Sequence, residues 1–225
     1  MMEETWHGVR DRVSRLQDLQ GAGRTFASFA HGFELAPSLS ESEVEDAERA
    51  FDTRLPDDYR GFLLHVGAGG AGPAYGVLRL RRAADAWEWA ADSTHRTDTD
   101  RLAEPFAPQH INGSPIDPLS LRVPNQYDFE YRDDYEVAHR RWEETVWHPG
   151  RTAGAICLCD EGCLRRYWLV VTGDERGTVW RDYRVDAIDL APLIDAHGRR
   201  LTFARWYLGW LNELEEQAKS VERIR

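Results

Sequence analysis

The order of its periodic segments is the feature that most constrains how this 225-residue chain folds. Apolar residues recur at helical, three- and four-residue spacing in residues 3–20 and again from about Thr202 onward. Runs rich in β-branched and aromatic residues, which are typical of strands, lie at 75–80, 164–171 and 178–183. Helical patterns, then strands, then a final helix predict an α+β fold, because a βαβ array would alternate the two patterns.

Two further helix starts are marked by local signals. Ser40 and Glu43 fit a capping box, in which the serine caps the Glu43 amide and the glutamate side chain reaches back. Pro56, followed by two aspartates, predicts a second start, since proline suits the first helical turn and carboxylates favour its positive end. Beyond the first strand, residues 83–91 predict a short helical piece.

The character of the chain changes in residues 92–150. Prolines break the periodicity there, at positions 105, 108, 115, 118, 124 and 149. The segment therefore predicts long loops, with one helix near 134–144. Ordered structure is expected to resume at Ala155.

Composition narrows the classes of function. Hydrophobic residues make up 42% of the chain, enough for a substantial core, and no long uncharged apolar run would span a membrane. The N-terminus lacks a secretory signal pattern, and an odd number of cysteines, three, argues against a disulfide framework, so we expect a cytoplasmic protein. The formal net charge of −11 disfavours nucleic acid and attracts basic partners, although acidity also serves ordinary solubility.

The glycine-rich segment 67–73 is the first candidate site. Glycine loops that bind phosphate follow a strand and open a helix, whose N-terminus supplies amides and a favourable dipole. Here a predicted helix precedes the segment, a predicted strand follows it, and no Walker-type lysine is present. The sequence therefore favours a structural turn that needs positive φ angles.

Three closely spaced cysteines, Cys157, Cys159 and Cys163, are the second candidate. On a strand, Cys157 and Cys159 would share one face, and Cys163 could return after the turn. A metal would need a fourth ligand such as Asp160 or His148, and the paired second knuckle of closed zinc sites is missing. Small buried thiols beside a turn are the favoured interpretation, and we expect no metal and no cofactor.

Nucleophilic catalysis would require one of these cysteines to meet a histidine. The available histidines are His110, His139, His148 and His197. The sequence contains no Gly-x-Ser-x-Gly elbow and no His-Glu-x-x-His motif. We therefore predict no catalytic residue and no enzyme activity.

Residues 127–136 interleave tyrosines and a phenylalanine with carboxylates. Aromatic anchors and charge steering are typical of protein interfaces. The predicted partner-binding residues are Asp128, Glu130, Tyr131, Asp133, Asp134, Tyr135 and Glu136. Trp142, Glu143, Glu144 and Trp147 could extend the surface. The alternative is a solvated, charge-rich loop and helix whose aromatic rings pack beneath it.

Two sets of motifs carry a resemblance to a known family. The first set is Ser40-Glu41-x-Glu43-Val44, Leu55-Pro56-Asp57-Asp58-Tyr59-Arg60-x-Phe62-Leu63 and Gly67-x-Gly69-Gly70-x-Gly72-Pro73-x-Tyr75-Gly76. The second set is Leu158-Cys159-Asp160-x-Gly162-Cys163, Trp168-Leu169-Val170-Val171-Thr172-Gly173, Gly177-x-Val179-Trp180-x-Asp182 and Phe203-x-x-Trp206-Tyr207-x-x-Trp210-Leu211. Together, over residues 40–80 and 155–212, they resemble the SUKH superfamily, whose best-known branch is the Smi–Knr group of fungal cell-wall regulators.

The resemblance implies one SUKH-like domain with a central antiparallel or mixed β-sheet flanked by helices and a loop-rich middle insertion. The domain would span residues 1–225, with its core at about 24–91 and 155–217. The variable segment would lie at about 92–150, and the N-terminal helix at 3–20.

The resemblance also implies a function. Bacterial members look largely like immunity proteins of polymorphic toxin systems, and fungal members like signalling scaffolds. We therefore expect a non-catalytic protein-binding domain that neutralises a basic toxin domain, such as a nuclease, by stoichiometric binding. A Smi–Knr-type signalling or scaffold module that binds several protein partners is the alternative, and the oligomeric state is left open. The resemblance transfers no catalytic residue.

Overall fold

The N-terminal helical pattern forms two helices. The structure, a computed structural model, describes residues 2–18, 31–90 and 97–224. Where one helix was predicted, α1 (Met2–Trp6) and α2 (Val9–Asp18) are separated at Gly8, whose φ of +68° interrupts the helical backbone. The apolar residues that carry the helical spacing in residues 3–20 are Trp6, Val9, Val13, Leu16 and Leu19. The first four are buried, and Leu19 lies outside the described residues.

Helices α3 (Glu41–Ala50) and α4 (Asp57–His65) begin where the local signals predict. The Ser40 hydroxyl accepts a hydrogen bond from the Glu43 amide at 3.3 Å, and the Ser40 amide donates to the Glu43 carboxylate at 2.7 Å. The capping box is therefore confirmed. Hydrogen bonds from the Ser40 backbone and side chain lower the pKa of Glu43.

The segment after α4 differs from the prediction. Residues 75–80 do not form a strand, since Val77 makes only an isolated bridge to Gly70 before β1 (Leu80–Ala83) begins. The helical piece predicted at 83–91 is also wrong, because β1 pairs antiparallel with β2 (Ala86–Trp89).

The glycine-rich segment is a structural turn, as predicted. Gly69 and Gly70 have φ angles of +140° and +107°. A Cβ at Gly70 would lie 2.3 Å from the Glu34 carbonyl oxygen, so the close backbone approach requires glycine.

In its described residues, 97–150, the middle segment contains one long helix among loops, as predicted. Helix α5 (Arg132–Val146) extends the predicted helix at both ends. The rest of this part holds short 3-10 turns and a small hairpin of β3 (His110–Ile111) and β4 (Ser114–Pro115).

Four consecutive strands form an antiparallel sheet in the order β5-β6-β7-β8. They are β5 (Ala155–Gly162), β6 (Arg165–Val170), β7 (Val179–Tyr183) and β8 (Ile188–Pro192). The strands expected at 164–171 and 178–183 are confirmed as β6 and β7, whereas β8 was not predicted. Helix α6 (Phe203–Ile224) follows the sheet, as expected, and the α+β fold class is confirmed.

Both faces of this sheet are covered. Leu169 and Val179 face the main core, where they join buried side chains of α1, α2, α3, α4 and α6. Trp168 and Trp180 face the other way and pack with Phe106, whose ring lies 5.0 Å from that of Trp180. The middle segment therefore covers the sheet face that the helices leave open.

The helical core is packed tightly around Trp6, and this gives a test by glycine substitution. A Cβ at Gly61 in α4 would lie 2.7 Å from the Trp6 ring, which is buried. The expected overpacking cost in Gly61→Ala is about 1–3 kcal/mol of unfolding free energy. It exceeds the helix-propensity gain of about 1 kcal/mol. Gly209→Ala in α6 is the matched control, because its Cβ would have no neighbour within 4 Å and the propensity gain alone should stabilise the protein. Urea denaturation of both variants measures this, and changes of the same sign would contradict the packing argument.

Candidate functional site

The predicted partner-binding residues lie on a short 3-10 turn and the first turns of α5. Asn125 fixes the entry to this surface. Its side-chain oxygen accepts a hydrogen bond from the Tyr127 amide at 3.1 Å, and its carbonyl accepts one from the Asp128 amide at 3.0 Å. These bonds form the turn Gln126–Asp128, which leads through residues 129–131 into α5. Local turn and helix geometry therefore positions the side chains of this surface.

The surface is acidic and exposed. The carboxylate residues Asp128, Glu130, Asp133, Asp134 and Glu136 are all exposed. Arg132 is the only basic residue in the stretch 126–136, and its Nε lies 2.8 Å from Glu136 Oε1. Five carboxylates thus face solvent with one arginine among them.

The aromatic residues divide into two groups. Tyr135 is half-buried and packs between Phe129 and His139, with ring centroids 5.9 and 5.6 Å away. Tyr127 and Tyr131 are 85% and 64% exposed. The alternative interpretation, aromatic rings packed beneath a solvated loop, therefore describes Phe129 and Tyr135 but not the two exposed tyrosines.

These side chains line a surface groove with a volume of about 620 Å³, which we call the acidic groove. Its lining residues are Gln126, Tyr127, Phe129, Tyr131, Arg132, Tyr135 and Glu136. Of the seven predicted site residues, Tyr131, Tyr135 and Glu136 line the groove. The other four, Asp128, Glu130, Asp133 and Asp134, are exposed outside its lining. Gln126, Tyr127, Phe129 and Arg132 also line the groove but were not among the predicted partner-binding residues, although Tyr127 and Phe129 belong to the interleaved stretch.

An ionic network joins the buried Asp182, Arg184 and Arg151 with the partly exposed Asp189 and anchors α5 to the sheet, and we call it the buried ionic network. The Arg184 guanidinium donates two hydrogen bonds to the Asp182 carboxylate, at 2.8 and 2.7 Å, and a third to the Val146 carbonyl at 2.6 Å. Val146 is the last residue of α5, so Arg184 caps the helix C-terminus with a positive charge.

The second arginine of the network reinforces this attachment. Arg151, with no exposed surface, donates to the Pro108 carbonyl at 2.8 Å and to Asp189 at 2.6 Å. Burial lowers the pKa of Arg151, against the raising effect of the Asp189 charge. The network thus ties the middle segment to β8, and the sequence prediction did not include it.

Asp182 is the acidic centre of the network. Burial alone would raise its pKa, but hydrogen bonds from Arg184 and Trp168, with the charges of Arg184 and Arg166, outweigh burial and lower the pKa. The Trp168 Nε1–Asp182 distance is 3.0 Å. Asp182 is the one member of the buried ionic network that belongs to a family-like motif, and this motif was the only sequence signal for the network.

Of the residues proposed to extend the acidic surface, the two tryptophans contact other parts of the fold. Trp142 donates to the Leu121 carbonyl at 3.2 Å and so docks α5 on the 3-10 turn Pro118–Leu121. The Arg184 guanidinium lies over the Trp147 ring, with its central carbon 4.8 Å from the ring centroid. Trp147 is therefore next to the buried ionic network. Glu143 and Glu144 are exposed near the C-terminal end of α5, roughly 15 Å along the helix from Asp133.

The expectation that Cys157 and Cys159 share a strand face is wrong. A bulge between them pairs Cys157 with Trp168 and Cys159 with Tyr167, which are neighbours on β6 and point to opposite faces. Both thiols are buried, and burial raises the pKa of Cys159, whereas Cys163 is exposed in the following turn. Within residues 2–18, 31–90 and 97–224, no three or more His, Cys, Asp or Glu side chains cluster as metal ligands would.

The fold and the site define an α+β domain that presents an exposed acidic surface on a segment anchored to its sheet. The chain belongs to the SMI1 / KNR4 family (SUKH-1), whose model matches residues 38–188. The predicted resemblance is confirmed, and the match includes the middle segment, while the motif in α6 lies beyond it. Comparisons with curated proteins and with solved structures found no match. Among the helices of the described ranges, none is long and apolar enough to cross a membrane.

Proposed function

We propose that this protein is a non-catalytic immunity protein that binds a basic toxin domain stoichiometrically through the acidic groove and the carboxylates around it. The observation that carries the proposal is the pairing of two strongly exposed tyrosines, Tyr127 and Tyr131, with five exposed carboxylates in one stretch of chain. Membership of the SMI1 / KNR4 family supports a protein-binding role.

Such a surface favours fast and specific association with a basic partner. Carboxylates on an exposed surface steer a positively charged partner and accelerate its association. Tyrosine supplies contact area at a low cost in side-chain entropy, which is why it is enriched at interfaces. Because α5 is anchored by the buried ionic network, the surface would be held in a defined orientation before the partner arrives.

A basic, phosphate-binding toxin is the partner that this chemistry favours. Nucleases present basic surfaces to their phosphate-bearing substrates, so an acidic inhibitor can cover such a surface with complementary charge. The proposal therefore predicts inhibition by occlusion, one inhibitor to one toxin, with no turnover.

Co-purification tests this proposal. The tagged protein is expressed with the products of the genes encoded beside it, and the retained proteins are identified after a high-salt wash. One small, basic, growth-inhibitory protein recovered in equal amounts is the expected result. Several partners that are all lost in salt would instead support the signalling or scaffold module.

A further inference from the structure

The lining of the acidic groove combines aromatic rings with a carboxylate. Tyr127, Phe129, Tyr131 and Tyr135 contribute four rings, and Glu136 contributes the carboxylate. The face of an aromatic ring attracts a cation through its quadrupole, and a nearby carboxylate adds a direct charge interaction. An apolar segment would cover the Glu136 carboxylate and shield it from water without adding a polar partner, whereas a cationic side chain would satisfy both the rings and the carboxylate.

A guanidinium group already lies in this lining. The Arg132 side chain is 87% exposed and pairs with Glu136 one helical turn later, at 2.8 Å. Exposed pairs of this kind contribute little to stability and exchange readily with water or other ions. Arg132 therefore occupies a position that a cation from another molecule could take.

We propose that the acidic groove binds an arginine side chain of the partner, with its guanidinium against the tyrosine rings and its fork directed to Glu136. This inference rests on the proposed function, because it names the group by which a basic protein partner is recognised. Arginine fits better than lysine, since a planar guanidinium both stacks on rings and donates paired hydrogen bonds to a carboxylate. Arg132 acts as the internal competitor for this site.

A peptide titration of the full chain tests the inference without the partner. The probe is acetyl-Gly-Arg-Gly-Arg-Gly-amide, compared with the same peptide carrying citrulline, which keeps the shape and removes the charge. Backbone amide shifts measured by NMR report both the location and the dissociation constant. We expect saturable shifts centred on residues 126–136 with the arginine peptide and none with the citrulline peptide.

Two pairs of variants separate the groove from general acidity. Tyr131→Leu should weaken binding by about 2- to 5-fold and Tyr131→Phe should not, because only leucine removes the ring. Arg132→Gln should tighten binding by about 2-fold through the release of Glu136. Arg140→Gln makes the same charge change on an exposed position of α5 outside the groove lining, and a smaller gain is expected.

Several outcomes would overturn the inference. They are equal binding of the arginine and citrulline peptides, equal loss in Tyr131→Leu and Tyr131→Phe, equal gains in the two arginine variants, or no shifts at all. If the peptide fails while a single basic partner survives the high-salt co-purification, the arginine site is wrong and the proposed function stands. If the peptide binds as expected and no partner is recovered, the site stands without the toxin.

Discussion

Asp182→Ala is expected to lower the free energy of unfolding by about 3–5 kcal/mol, the cost of leaving a buried charge without its partner. In the native protein, Asp182 and Arg184 are 1% and 4% exposed, and the carboxylate accepts two hydrogen bonds from the guanidinium of this arginine, one from its backbone amide and one from Trp168. Without the carboxylate, Arg184 keeps its bond to the Val146 carbonyl but has lost the charge that compensates its burial. Urea denaturation followed by tryptophan fluorescence measures the loss.

Asp186→Ala is the matched control for this effect. Asp186 pairs with Arg165 at 2.6 Å, but both side chains are partly exposed, at 34% and 44%. Water screens such a pair, so the same substitution four residues along the chain should change stability little. Equal losses of unfolding free energy in the two variants would show that burial does not increase the contribution of the Asp182–Arg184 pair to stability.

The pH dependence of stability gives a second test of whether Asp182 is charged in the folded protein. Because the folded-state pKa of Asp182 is lowered, its stabilising contribution is present above the unfolded pKa of about 3.9 and is lost as the pH falls through the folded value. The difference in unfolding free energy between the native protein and Asp182→Ala should therefore shrink in acid. A constant difference across this range would contradict the assignment of a charged Asp182.

Sequence reasoning succeeded where the determinants are local. The capping box needs only Ser40 and Glu43, which lie three residues apart, and the geometry follows from their chemistry. Apolar residues of α6 recur at three- and four-residue spacing over several turns, and this pattern likewise predicts a helix. The hairpin of β1 and β2 escaped prediction because its turn begins at Ala84, with a φ of +51°, and carries no glycine or asparagine signal.

The candidate site was predictable only in its chemistry. The sequence shows the acidic and aromatic character of residues 127–136. It does not show which rings are shielded from solvent, because that depends on how the chain folds. Phe129 packs against Tyr135 and both are half-buried, while Tyr127 and Tyr131 remain exposed. The attachment of α5 through Arg184 joins residues 38 positions apart, and no local pattern specifies such a contact.

Charge reversal by Asp133→Lys and Asp134→Lys together is expected to slow association with the toxin that we propose as the partner by about 10-fold or more at low ionic strength, because steering accelerates encounter by at least that factor. The salt dependence of the association rate should weaken at the same time, since fewer attractive charges remain to be screened. Both residues are exposed on the first turn of α5, and neither lines the acidic groove. Stopped-flow mixing with the co-purified toxin at two salt concentrations measures both quantities.

Glu143→Lys with Glu144→Lys is the matched control, because it reverses two adjacent exposed carboxylates near the other end of the same helix. The net charge of the protein changes equally in the two double variants, so a difference between their association rates reports position and not total charge. The change at Asp133 and Asp134 also places cations at the helix N-terminus, where they oppose the helix dipole. Circular dichroism must therefore show intact helix, and Asp133→Asn with Asp134→Asn should give an intermediate rate. If the two charge-reversed variants associate equally fast, long-range net charge governs the encounter and the contact surface lies elsewhere on the protein.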